Sequence, residues 1–118
     1  MPVVRARLQV ITDGGLAGAR GIVPAVTAAL AGGADLVQYR EKHKSAREQL
    51  AEVQALLAVC RAAGVPLIVN DDVGLALAAG ADGAHVGQDD LPVAVARRLL
   101  GPDRIIGCSA TTLAEARQ

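Results

Sequence analysis

Five short apolar runs, each separated from the next by a stretch of helical spacing, constrain this chain more than any other feature. They are "LQVIT" (Leu8 to Thr12), "LVQYR" (Leu36 to Arg40), "PLIVN" (Pro66 to Asn70), "GAHVG" (Gly83 to Gly87) and "RIIGCS" (Arg104 to Ser109). The intervening helices are well marked. Ser45 with Glu48 is a capping-box pattern, after which Leu50, Val53, Leu57 and Cys60 recur at helical spacing until Gly64 and Pro66 stop the run. A first helix from about Ala19 to Ala31 ends in Gly32-Gly33, Pro92 fits the first turn of a later one that Gly101-Pro102 closes, and Thr112 with Glu115 marks one more cap. "LAGGADLVQYR" and "LAAGADGAHVG" repeat the order helix end, glycine stop, short loop, strand. Such alternation implies parallel strands joined by right-handed crossovers, in an open doubly wound sheet or a (β/α)8 barrel.

At 118 residues the chain makes one domain, residues 1–118, and its 52 % hydrophobic content supplies a packed core. Tyr39 is the only aromatic residue and the formal charge is zero, so both stacking platforms and a long-range basic field are lacking. Nucleic acid is not expected as a partner. No apolar run reaches the ~20 residues needed to span a bilayer, and "MPVVRARLQV" has no long apolar secretory segment. The expectation is a cytoplasmic protein without membrane contact. Cys60 and Cys108 lack zinc-site spacing and read as reduced core residues. "ITDGG" stands after the first strand where a dinucleotide-binding fold would carry G-x-G-x-x-G.

Parallel α/β folds build their sites at the carboxyl ends of the strands, and the polar residues gather there. The second strand runs into Gln38, Arg40 and Lys42, spaced two apart, while Val37 and Tyr39 leave the other face. The third ends in Asn70 and Asp71, the fourth leads through Gln88 to Asp89 and Asp90, and the fifth ends in Ser109. Two cations, carboxylates from two strands and several neutral hydrogen-bonding groups suit a phosphorylated ligand with a hard divalent cation. Mg2+ takes oxygen ligands and usually only one or two protein carboxylates besides substrate phosphates, a role open to Asp71 and Asp90. Arg40 can grip a phosphate with two donors, and Lys42 supplies a point charge. Each residue also has a plainer reading. Asp71 or Asp72 could cap "VGLALAA", Asp89 or Asp90 could cap "LPVAVARRLL", His85 could be a hydrogen-bonded core histidine, and Ser109 could satisfy backbone at a strand end. The coincidence across four strand ends favours a ligand site.

With "LQVITD", "QYREK", "NDDVGLALAAGADGAHVGQDDLP" and "IIGCSATT" in this order, the chain resembles the thiamine phosphate synthases over nearly its whole length. The resemblance implies a TIM (β/α)8 barrel, here about five βα units of it, and a reaction between small-molecule substrates. That reaction joins hydroxymethylpyrimidine diphosphate to thiazole phosphate, giving thiamine phosphate and pyrophosphate. Carried over residue by residue, Gln38, Arg40, Lys42, Asn70 and Ser109 contact the pyrimidine diphosphate, with Arg40, Lys42 and Ser109 in catalytic contact with the leaving pyrophosphate. Asp71 and Asp90 hold the Mg2+ cofactor.

The chain departs from the family pattern at "NDDVG", where N-D-R-V-D is usual, and at Thr111, where a histidine is common. It also stops at Gln118, whereas a barrel takes ~200 residues or more. The expectation is therefore the N-terminal portion of an enzyme, inactive alone and, through exposed strand edges, a homo-oligomer. A thiazole tautomerase on the same barrel and a non-catalytic self-associating fragment are the alternative functions; Asp71, Asp90 and Thr111 argue against the tautomerase.

Overall fold

The computed structural model describes residues 7–13, 21–88 and 90–109. Asp89, Thr111, the Thr112–Glu115 cap and the start of the first helix at Ala19 lie outside them. The elements alternate as β1 (Gln9–Ile11), α1 (Ile22–Ala31), β2 (Leu36–Tyr39), α2 (Ala46–Ala62), β3 (Leu67–Asn70), α3 (Val73–Ala79), β4 (Gly83–Val86), α4 (Val93–Leu100) and β5 (Ile105–Cys108). All five strands are parallel and stand in the order β1-β2-β3-β4-β5.

Local chemistry accounts for the boundaries. Both arms of the capping box at α2 form: the Ser45 hydroxyl accepts from the Glu48 N–H at 3.2 Å, and the Glu48 carboxylate accepts from the Ser45 N–H at 3.4 Å. Gly64, at φ 70°, ends that helix in the left-handed conformation that glycine adopts without strain. Asp72 caps α3 by accepting from the Leu75 N–H at 2.8 Å. The α4 helix differs from expectation. Pro92 is its N-cap residue rather than lying within its first turn, and no side chain caps it, since a proline ring has no acceptor to offer and Asp90 bonds the Gly87 N–H instead.

Register sorts the strand residues onto two faces. Val37, Tyr39, Leu67, Val69, Ala84 and Val86 are buried in one core with residues of all four helices, including Val26, Val53, Leu56, Ala76 and Ala96. Tyr39 is among the largest fully buried side chains, and its hydroxyl donates to Glu52 of α2 at 2.7 Å. Burial and that hydrogen bond push the phenol far above its ordinary value, so Tyr39 is neutral at any physiological pH. The opposite face carries Ile11, Gln38, Ile68, Asn70, Gly83, His85, Ile105 and Gly107, aligned through the pairs Ile11–Gln38, Gln38–Ile68, Ile68–Gly83, Asn70–His85, Gly83–Ile105 and His85–Gly107. Sequential strands with helices on one face are singly wound, so the doubly wound alternative does not describe these residues.

The internal repeat has a physical role. Asp35, just before β2, accepts from the Arg7 and Leu8 N–H groups where β1 begins, at 2.8 to 3.0 Å. These bonds hold its carboxyl below the ordinary range. Asp82, just before β4, accepts from the Leu67 N–H at the start of β3 at 2.8 Å, while its own N–H donates to the Leu67 carbonyl at 2.9 Å. The aspartate of each Gly-Ala-Asp segment thus fastens the preceding strand at its amino end. Replacing Asp82 by Ala strands a part-buried N–H and should cost about 1–3 kcal/mol in urea unfolding, with Asp82→Asn costing less because one acceptor oxygen remains.

Candidate active site

The carboxyl ends of the parallel strands meet at one rim, and the side chains there are set by backbone bonds between neighbouring strands. At β1, Thr12 is 5 % exposed; its N–H donates to the Gln38 carbonyl at 2.9 Å, and its hydroxyl accepts from the Arg40 N–H at 3.0 Å. This small residue holds the segment that presents Gln38 and Arg40. Gln38 is 3 % exposed, and its side-chain amide makes no hydrogen bond with the described residues. Arg40 is exposed at the same rim.

Lys42 does not continue the alternation of β2. The strand ends at Tyr39, and the Glu41 carboxylate accepts from the N–H groups of Lys42 at 2.9 Å and His43 at 3.0 Å, turning the chain. Lys42 then reaches across to β3, where its Nζ lies 4.0 Å from Oδ2 of Asp71. Glu41, which spacing alone marked only as an interval between two cations, shapes the loop that delivers the second one.

Asp71 and Asp72 divide the two roles that sequence left open between them. Asp72 is the helix cap, whereas Asp71 has φ 66° and donates its N–H to the His85 carbonyl at 2.7 Å. Left-handed backbone is uncommon outside glycine and is tolerated best by Asn and Asp. It sets the Asp71 carboxyl beside that of Asp90. Burial first, then a hydrogen bond with Asp90 and repulsion from its charge, raises the Asp71 carboxyl above the ordinary 3.8, while Lys42 and His85 oppose the rise. Asp90 is fixed by its own turn. Its Oδ2 accepts from the Gly87 N–H at 2.6 Å, and its N–H donates to the Gly87 carbonyl at 3.2 Å.

At β5, the Ser109 N–H donates to the Val86 carbonyl at 3.1 Å, and Nε2 of Gln88 donates to the Ser109 carbonyl at 2.6 Å. The Ser109 hydroxyl lies 2.7 Å from Nε2 of His85. His85 is half-buried and neighbours Asn70 in register, so it is a rim residue rather than a core one. Cys108 is exposed, contrary to the core placement expected for it, because β5 leaves its side chain open among the described residues; Cys60 is buried. Both are free thiols.

The rim therefore joins Lys42, Asp71 and Asp90 through charge, and His85 and Ser109 through a hydrogen bond, with Gln38 and Asn70 on the same face. Arg40 stands at that rim without an ion pair among the described residues. No three His, Cys, Asp or Glu side chains converge among the described residues, so a pair of carboxylates is what the rim offers a cation. Two adjacent carboxylates, of which Asp71 has its proton affinity raised, fit a hard divalent ion that takes its other ligands from substrate and water.

The raised Asp71 carboxyl has a defined consequence for stability. Its folded state binds a proton more tightly than the unfolded chain, so stability from this group is present below 3.8 and is lost as pH rises through the raised value. Asp71→Asn removes the repulsion and keeps a side chain suited to φ 66°. The variant should unfold at a higher urea concentration than the parent at pH 7, with the advantage shrinking as the pH falls through the raised value and gone below 3.8. A variant less stable than the parent at pH 7 would show that the carboxyl pair is not under strain.

A family model described as thiamine monophosphate synthase matches residues 8–118. The thiamine-phosphate synthase of Chloroflexus aurantiacus is 54 % identical over 116 residues, covering 98 % of this chain and 53 % of that protein. The thiamine-phosphate synthase of Roseiflexus castenholzii is 52 % identical over 117 residues, covering 99 % and 51 %. Among solved structures, the thiamine phosphate pyrophosphorylase from Pyrococcus furiosus superposes with a TM-score of 0.85 at 38 % identity, over 94 % of this chain and 53 % of that one. The chain spans about half the length of the curated relatives it matches. A match that runs from β1 through the rim residues of all five strands places the chain in the thiamine monophosphate synthase family.

Proposed function

We propose that this chain carries the diphosphate half of a thiamine phosphate synthase site, on a sheet that forms part of a (β/α)8 barrel. The observation that carries the reading is the Asp71–Asp90 carboxyl pair, faced by Lys42 at the rim where five parallel strands end. Sequential strand order with every described helix on one face supports the barrel, since continuing that winding curls a sheet toward closure. Family membership supports the chemistry.

In this reading Gln38 and Asn70 orient the pyrimidine diphosphate. Gln38 suits the task because its amide is held in a nearly closed position with hydrogen-bonding capacity to spare. The bond between the pyrimidine methylene carbon and the bridging diphosphate oxygen breaks with its electron pair going to oxygen. The thiazole nitrogen then gives its lone pair to the methylene cation. Arg40 and Lys42 neutralise the negative charge that grows on the departing diphosphate, and the Ser109 hydroxyl donates to it. Asp71 and Asp90 would hold Mg2+, which supplies further positive charge to the phosphate oxygens. The protein's share is chiefly positioning and electrostatics, since no group of the enzyme bonds covalently to the substrate.

Turnover by the protein of the whole reading frame containing this sequence, measured across a Mg2+ titration, tests the proposal. Asp71→Asn and Asp90→Asn should each lower kcat by on the order of 100-fold and shift the Mg2+ dependence to higher concentration. If these residues served only as turn and cap groups, Asn would substitute with little loss. Unchanged kinetics in both variants would reject the metal assignment.

A further inference from the structure

His85 is the rim side chain to which neither the charge pattern nor the leaving-group contacts give a role. Its geometry supplies one. The ring meets β5 by its Nδ1 edge at Gly107: a Cβ built there would stand 2.5 Å from Nδ1 and 3.4 Å from the two ring carbons beside it, so only glycine admits the ring in this place. The ring is thereby aimed along β5 at the next residue on that face, and Nε2 meets the Ser109 hydroxyl at 2.7 Å. Nδ1 faces Gly107 and has no hydrogen-bond partner among the described residues. A nitrogen pressed against aliphatic backbone is better tolerated as a bare acceptor than as an unsatisfied N–H donor. The neutral ring should therefore carry its proton on Nε2.

We propose that His85 is a positioning residue for Ser109: Nε2–H donates to the serine oxygen, and the hydroxyl hydrogen is left to point at an anionic oxygen of the ligand. The opposite tautomer would draw the hydroxyl hydrogen onto the imidazole and present only lone pairs to the phosphate. Gly107 is the companion requirement, since the ring occupies the volume of its absent side chain. Gln88 completes the arrangement by fixing the Ser109 carbonyl, so that rotation of the hydroxyl is the one freedom left for His85 to set. The inference rests on the proposed function, because it needs an anionic ligand at Ser109.

The test has two parts. Nitrogen NMR of the histidine side chains is simple here, as the chain has two histidines and His43 lies in an exposed loop. In its neutral form His85 should show the Nε2–H tautomer, and Ser109→Ala should move the Nε2 resonance. An Nδ1–H tautomer would overturn the proposal. The second part follows binding of inorganic pyrophosphate with Mg2+ by calorimetry. Ser109→Ala and His85→Leu should each weaken binding about tenfold, and the double variant no further, because one removes what the other directs. His85→Gln, whose amide nitrogen can reach the place of Nε2, should recover most of the affinity, and His85→Asn should not. Gly107→Ala, which displaces the ring, should resemble His85→Leu. Losses that add in the double variant would overturn the positioning role while leaving the ligand site standing. Absence of pyrophosphate binding by the parent protein would overturn both.

Discussion

Parallel register is the constraint on which the rest of this structure depends. Asp35 and Asp82 tie the amino ends of β1 and β3 to the segments that begin β2 and β4, and the stagger fixed there is carried along each strand to the opposite rim. A slip of one residue would exchange the faces, sending Gln38, Asn70 and His85 into the helix layer and Val37, Tyr39 and Val69 into the open. The site is not a local construction. It is the far end of a set of backbone bonds made at the other edge of the sheet.

The rim is also stiff where it must be. Thr12, Glu41 and Gln88 bond backbone and Gly87 bonds the Asp90 carboxylate near strand ends, each holding a residue proposed for ligand or metal binding: Arg40, Lys42, Ser109 and Asp90 respectively. Groups that must meet developing charge are more effective when the protein, rather than the ligand, has already fixed their orientation. The cost is visible in the carboxyl pair, where burial and repulsion raise the proton affinity of Asp71.

Much of this was legible in the residues, and the limits have physical causes. Capping boxes, glycine stops and apolar periodicity are local, so the five strands and the α2 boundaries could be read directly. The repeat was visible too, although not its purpose, because the bonds of Asp35 and Asp82 reach strands 27 and 15 residues away. The choice between Asp71 and Asp72 as helix cap turned on a backbone angle that two adjacent aspartates do not reveal. Glu41 was hidden between two cations, since a carboxylate that bonds its own loop has the same spelling as one that faces water. Cys108 was misplaced because its apolar neighbours suggested a core that the described residues do not close over it. The contact between His85 and Ser109 spans 24 residues and exists only through the β4–β5 pairing.

The left-handed conformation of Asp71 narrows what this position can become. Two unrelated selections meet there. Stereochemistry admits glycine, asparagine and aspartate and discourages β-branched or bulky side chains. The proposed cation binding asks for a carboxylate, which would also admit glutamate. Aspartate alone satisfies both. The usual interchange of the two acids is thus closed at this site by the backbone rather than by the proposed cation, and mutational drift is left with substitutions that keep the fold and discharge the rim.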